Sequence, residues 1–439
     1  MLRALIVFAF VAATLASPAG ATDYTAGPQH YLLFLRGLQP GDTLLLAPGE
    51  YAGGLPVHRL TGTAAAPIRI RAANPAARPR FIARIGRNTV SVIDSMHVEI
   101  ADLDLDGRGI HVDAVKAEGS ARFAHHITLS NLRITGHGAN QQNVAISTKC
   151  PAAGWVVRGN EIIGAGTGMY FGNSDGSAPF VGGTIEHNLV VDSIGYNLQI
   201  KHQNPRPTDA GLPEGRSVTV IRHNVFSKAR GASAGELARP NVLVGHAPLS
   251  GAGSADRVVL YANLFHANPT EALFQGEGHL ALYGNVFVNR DGSAIHVQPH
   301  HAAPGEIEIF GNTVLASGHG IRVLGGSNEH RRRIRNNVVF ADLAIVGGEA
   351  AGNLTGRPGE AAAQLRQADG ALEILDLRLR RPMAGTAMEP LGLPDADRDY
   401  CGTRRPDDMP GAFAQGSAVP RLALQRRHPA DHGCGAGKP

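Results

Sequence analysis

One asparagine returns through this chain inside the same short phrase. It closes Val-Val-Arg-Gly-Asn160, Thr-Ile-Glu-His-Asn188, Val-Ile-Arg-His-Asn224, Val-Leu-Tyr-Ala-Asn263, Ala-Leu-Tyr-Gly-Asn285, Glu-Ile-Phe-Gly-Asn312 and Arg-Ile-Arg-Asn-Asn337. Asn131 opens the series and Asn353 is placed to close it. Neighbours are 29, 28, 36, 39, 22, 27 and 25 residues apart. These steps are too irregular for a helical repeat and natural for a coil with variable loops. Asn tolerates a left-handed corner better than other non-glycine residues, so each phrase is read as one turn ending in a corner. Short β-branched runs around one corner per turn predict an all-β solenoid, a right-handed single-stranded parallel β-helix of about 10 coils.

Alignment on the corner predicts which side chains face inward. Val157, Ile185, Ile221, Leu260, Leu282, Ile309 and Ile334 form an apolar inner column, and the residues that follow them face out. Each coil also carries a third strand. These align as 144–148, 169–173, 198–202, 242–246, 273–277, 295–299 and 321–325, with first and third positions inward. That alignment points Phe274 outward and leaves Gln275 as the one polar residue in a buried column.

Residues 1–21 read as a cleaved secretory signal. Arg3 precedes an apolar run too short to span a bilayer, and Ala19-Gly20-Ala21 supplies a small-residue cleavage site. A secreted or periplasmic protein is expected, with no second membrane segment. Residues 22–85 are assigned to an N-terminal cap and first coils and 86–360 to the β-helix. Residues 361–439 are assigned to a closing coil, with a loosely ordered tail after about residue 415. Of the three cysteines, Cys401 and Cys434 flank that tail and are placed to pair, leaving Cys150 as a buried, inert thiol. The formal net charge of +4 is mild. It only weakly favours an acidic partner and gives no reason to expect nucleic acid. A monomer is expected.

The segment Leu-Gln-Pro-Gly-Asp-Thr-Leu-Leu-Leu-Ala-Pro-Gly-Glu-Tyr at 38–51 resembles the opening of bacterial β-helix proteins of the pectate-lyase-like superfamily. The stretch 373–414 resembles their closing coil. The likeness extends to the β-helix alginate and chondroitin lyases, and it implies their fold and an action on acidic polysaccharide. Lys201, in Leu-Gln-Ile-Lys, matches the catalytic lysine of that group's Ile-Ser-Val-Lys-type phrase. The following coil of the group reads Leu-Arg-His-Gly. Here Val-Gly245-His246-Ala retains the histidine and lacks the arginine. The group's calcium-binding carboxylates are also missing, since Ser193-Ile194-Gly195-Tyr196 occupies their place. No cofactor is therefore expected with any warrant, calcium included.

Three long insertions, 202–216, 228–240 and 246–257, border the third strands in the middle of the solenoid, where function concentrates. Lys201, His202 and His246 are the candidate catalytic residues. Tyr170, Gln199, Arg206, Phe274, Glu277, His296 and Arg322 are candidate substrate contacts, with aromatic faces for sugars and cations for carboxylates. Lys201, His246 and Glu277 are expected to rise as a ladder roughly 10 Å tall, because strands lie about 4.8 Å apart. Arg206, Arg230 or Arg239 would have to stand in for calcium. The favoured reading is a lyase that cleaves a uronate-containing polymer by β-elimination. Alternatives are a non-catalytic glycan-binding protein, a C5-epimerase, and a glycoside hydrolase, which needs two carboxylates about 5–10 Å apart.

Overall fold

Alternating apolar columns stay buried only if successive coils keep one register, and here they do. In the computed structural model, which describes residues 20–430 and 432–435, three sheets of 15, 12 and 11 strands run between Asp23 and Gly356. Every pairing within them is parallel. One turn shows the cycle. Val156–Arg158 belongs to the corner sheet, Glu161–Ile163 to the second sheet and Thr167–Phe171 to the third. The chain then returns to the corner sheet, where Val157 pairs with Ile185. This is a parallel β-helix. The inner column Val157, Ile185, Ile221, Leu260, Leu282, Ile309 and Ile334 is fully buried, as expected. The second sheet adds an aromatic stack, with Phe226, Phe265 and Phe287 rings at 5.4 and 4.4 Å. Among the described residues no helix is long and apolar enough to cross a membrane. The proposed signal segment, residues 1–19 above all, lies outside the described residues.

The asparagine column is a hydrogen-bond ladder, and it corrects the corner assignment by one residue. Positive φ belongs to the residue before each ladder asparagine: Gly159, His187, His223, Ala262, Gly284, Gly311, Asn336 and Gly352. Asn131 sits in that left-handed slot at φ 52°, so it precedes the ladder and does not belong to it. From Asn160 to Asn353 each asparagine donates its backbone N–H to the next one's Oδ1 at 2.9–3.0 Å. Each Nδ2 from Asn160 to Asn337 also donates to that oxygen at 2.9–3.0 Å. An amide suits this position because it accepts and donates at once, in the axial direction. Backbone groups at a buried corner would otherwise go unpaired.

The third sheet holds a second correction. Val242 pairs with Phe274, so Phe274 points inward and is fully buried, while Gln275 faces out. The sequence alignment had set Leu273 opposite Val242, and a slip of one residue exchanges the two faces. At 144–148 the offset is two residues, which preserves the faces: Ile146, and not Val144, pairs with Met169.

The C-terminal region is packed, not loose. Tyr261, Tyr283 and Phe310 point away from the solenoid interior yet are buried, because Met388, Leu391, Leu393 and Ala396 cover them. Cys401 and Cys434 form a disulfide. Arg426 reaches Gly159 O at 2.6 Å, and Arg427 donates to Ala262 O and Tyr400 O, fastening the tail to the corner sheet. Cys150 is buried, and burial pushes its thiol up to about 12.

Asn263→Ala should strand the amide of Asn224, the Ile221 carbonyl and part of the Asn285 side chain. The expected loss is about 2–4 kcal/mol, measured by urea denaturation at equilibrium. An exposed asparagine such as Asn328, changed in the same way, should cost nothing measurable.

Candidate active site

The outward column of the third sheet runs Lys116, Ser147, Tyr170, Gln199, Leu243, Gln275, His296 and Arg322 in consecutive coils. Two residues beyond it, where the chain leaves the sheet, lies a second column. Register carries it from Lys149 through Gly172, Lys201 and Gly245 to Glu277. Charged residues thus alternate with glycines at two-strand intervals, about 10 Å per pair. The glycines are needed. A Cβ on Gly245 would lie 2.3 Å from His202 N, and one on Gly172 would lie 3.2 Å from Lys201 Cβ. No side chain fits at 245, which is where the resemblance places an arginine.

Two interlocked loops wall this end of the sheet. Arg206 of the first insertion pairs with Asp256 of the third and donates to Gly215 O at 2.9 Å. Its side chain is only 3% exposed, so Arg206 holds the loops together and is not available to a substrate. Phe274, buried in the core, cannot stack on a sugar either. The other proposed stand-ins for calcium are also engaged: Arg230 with Asp192 at 2.6 Å, and Arg239 with Glu236 O and Ala238 O. Ser193, in the segment that replaces the family's carboxylates, is buried and accepts from Asn197 Nδ2 at 3.2 Å. These residues do not fit a calcium ion.

Lys201, His202, His246 and Glu277 do come together, and His301 joins them. The His202 ring stacks on His301 at 4.1 Å and lies 5.4 Å from His246. Glu277 is buried at 1% exposure. Its Oε2 accepts the N–H groups of His300, His301 and Ala302 at 2.9, 2.8 and 3.0 Å, while Oε1 lies 3.7 Å from His301 Nδ1. Burial lowers the Lys201 pKa, with Glu277 opposing. Burial, then the positive fields of His301 and Lys201, lowers His202 as well. Burial therefore works against charge on both Lys201 and His202.

Lys149 escaped sequence reading. Its ammonium donates to Gly172 O at 3.1 Å and lies 3.3 Å from the Tyr170 ring centroid, occupying one face of that ring. Burial, with Lys116 adding to it, pushes Lys149 down to about 7. The signal was present: Ile146-Ser-Thr-Lys149 sets a lysine at the same place after its strand as Leu198-Gln-Ile-Lys201. Further along, His296 is pushed down to about 4 by burial and then by Arg322 and His319. Gln199 lies between Tyr170 and Leu243 and is 4% exposed. The whole arrangement is a pair of side-chain columns along the solenoid axis. A cavity of about 1020 Å³ lies on the corner sheet under the C-terminal tail, away from these residues.

Lys149→Met should raise stability by on the order of 1–2 kcal/mol near pH 6, because the folded state disfavours the charge. The sign follows from a folded pKa of about 7 against an ordinary value near 10.4: the penalty is complete below about pH 7 and gone above about 10.4. Denaturation midpoints of variant and parent should therefore converge as pH rises across that window.

No family model matches the sequence, and no curated protein matches it. Solved structures do. An alginate lyase from Paenibacillus sp. str. FPU-7 aligns at 15% identity and TM-score 0.50, covering 76% of this chain and 98% of its own. A GH136 lacto-N-biosidase from Eubacterium ramulus aligns at 13% identity and TM-score 0.50, covering 76% and 68%. A PL6 family polysaccharide lyase from Pseudopedobacter saltans reaches 10% identity and 0.48 over 77% and 94%. At these identities the likeness speaks to architecture: the chain has the parallel β-helix fold found among carbohydrate-active enzymes.

Proposed function

We propose that the protein is an exported polysaccharide lyase that cleaves an acidic, uronate-containing polymer by β-elimination in the third-sheet groove. The observation that carries this reading is the half-buried Lys201, its pKa lowered, level with a strand end where His202, His246 and His301 converge. An axial column with charges at two-strand intervals suits an extended chain of charged sugars better than a compact metabolite.

The neutral Lys201 amine takes the proton from the carbon next to the uronate carboxylate. Those electrons form the new carbon–carbon double bond as the glycosidic oxygen leaves, and the resulting ammonium returns a proton to that oxygen. His202 and His246 hold the leaving sugar by hydrogen bonds. With no calcium ligands and no arginine at 245, the carboxylate meets Lys149, whose charge is restored when an anion binds beside it. Tyr170, Gln199, His296 and Arg322 line the groove on either side. Glu277 is committed through Oε2 to three backbone amides, which keeps it as an anchor for the 300–302 turn. Asp113, the other carboxylate beside the column, is paired with Lys116 at 3.3 Å, which counts against the free carboxylate pair a hydrolase requires.

The test is to incubate the protein with alginate, pectate and chondroitin while following the ultraviolet absorbance of unsaturated uronate ends. One polymer should give the signal, and Lys201→Ala should lower kcat by about 10²–10⁴-fold. Lys201→Arg should not restore it, because guanidinium does not deprotonate. In the parent, kcat should rise with pH as Lys201 loses its proton. New reducing ends without absorbance would mean hydrolysis, and binding with neither would mean a glycan-binding protein.

A further inference from the structure

A second histidine cluster lies on the corner sheet, and the groove chemistry does not use it. His187 and His223 fill the left-handed slots just before ladder residues Asn188 and Asn224, at φ 56° and 54°. Consecutive coils therefore stack their rings at 4.9 Å. The C-terminal tail brings a third histidine to the same place: His432 lies 4.2 Å from the His223 ring and 5.8 Å from His187. The tail is held there by the Cys401–Cys434 disulfide and by Arg426 and Arg427.

The nitrogens are arranged as ligands would be. His187 Nδ1 is 2.9 Å from Arg427 O, and a carbonyl only accepts, so Nδ1 carries the proton and Nε2 keeps its lone pair. A backbone carbonyl fixing the far nitrogen is how metal-binding imidazoles are usually oriented. His223 is 6% exposed, and its Nδ1 is buried without a hydrogen-bond partner among the described residues. One nitrogen from each ring lies within 4.8 Å of the other two. Zinc–nitrogen bonds of 2.0–2.1 Å in a tetrahedron set ligands about 3.4 Å apart, which modest ring rotations would reach.

We propose that His187, His223 and His432 bind one first-row transition ion, most readily zinc, and that the ion clamps the C-terminal tail onto the solenoid. An all-imidazole donor set disfavours hard cations such as calcium and magnesium, which want oxygen ligands. The fourth position opens on the cavity of about 1020 Å³, leaving room for water or a small anion. The site lies on a different wall from Lys201 and stands whether or not the groove is a lyase.

Untagged full-length protein, stripped with chelator, should take up one equivalent of zinc by calorimetry. Cobalt(II) should give the visible absorption of a low-coordinate nitrogen site. His432→Ala and His223→Ala should each weaken zinc binding by on the order of a hundredfold. His432 lies on the tail, so that variant keeps the coils intact. Zinc should also slow proteolysis of the tail in the parent and not in His432→Ala. The proposal fails if no stoichiometric zinc binds, or if binding survives both substitutions. It also fails if binding disappears in His202→Ala with His301→Ala and not in His432→Ala.

Discussion

Stacking identical turns leaves each corner with backbone amides and carbonyls that face the next turn instead of water. The asparagine ladder from Asn160 to Asn353 resolves this by passing one oxygen and one amide from coil to coil. It holds neighbouring corners at strand spacing, and so it keeps three sheets in register over the same coils. All the side-chain columns follow from that register, the buried aliphatic stack and the groove alike. An enzyme built this way gains chemistry by exchanging residues within a column, with little disturbance to the coils above and below.

The groove illustrates both the opportunity and the constraint. Lys149, Lys201 and Glu277 share a column because glycines separate them, and the close packing at Gly245 forbids a side chain between Lys201 and Glu277. On the proposed reading a charge partner for a uronate would come from elsewhere, and Lys149 lies one two-strand step away. Its low pKa comes mainly from burial against the sheet exit and Tyr170, and neighbouring Lys116 and Lys201 add to it. In the insertions Arg206, Arg230 and Arg239 are each engaged, Arg206 in a buried pair that ties two loops together.

Much of this could be read from the chain. Seven inward residues three before the ladder asparagines were correct because burial enforces strict alternation along a parallel strand. Lys201, His202 and His246 shared a wall because they follow adjacent third strands. What failed did so for local reasons. At Leu273-Phe274 two adjacent apolar residues offer two registers, and pattern alone cannot choose between them, which reversed Phe274 and Gln275. The left-handed residue was misplaced by one because glycine, alanine and histidine fill that slot in most coils. Arg206 looked available because its partner, Asp256, lies 50 residues away in another loop. The tail looked loose because its anchors are backbone carbonyls, which leave no trace in composition. Lys149 was passed over because the third strand at 144–148 was aligned two residues out, which set Ser147, and not Lys149, level with Lys201.

The most direct measurement is a crystal structure of Lys201→Ala bound to a short uronate oligosaccharide. The sugar chain should run along the third sheet, with a carboxylate beside Lys149 and the adjacent ring carbon facing position 201. An oligosaccharide seated in the corner-sheet cavity, or with its carboxylates turned away from the Lys149–Glu277 column, would contradict the assignment of that groove as the site of chemistry.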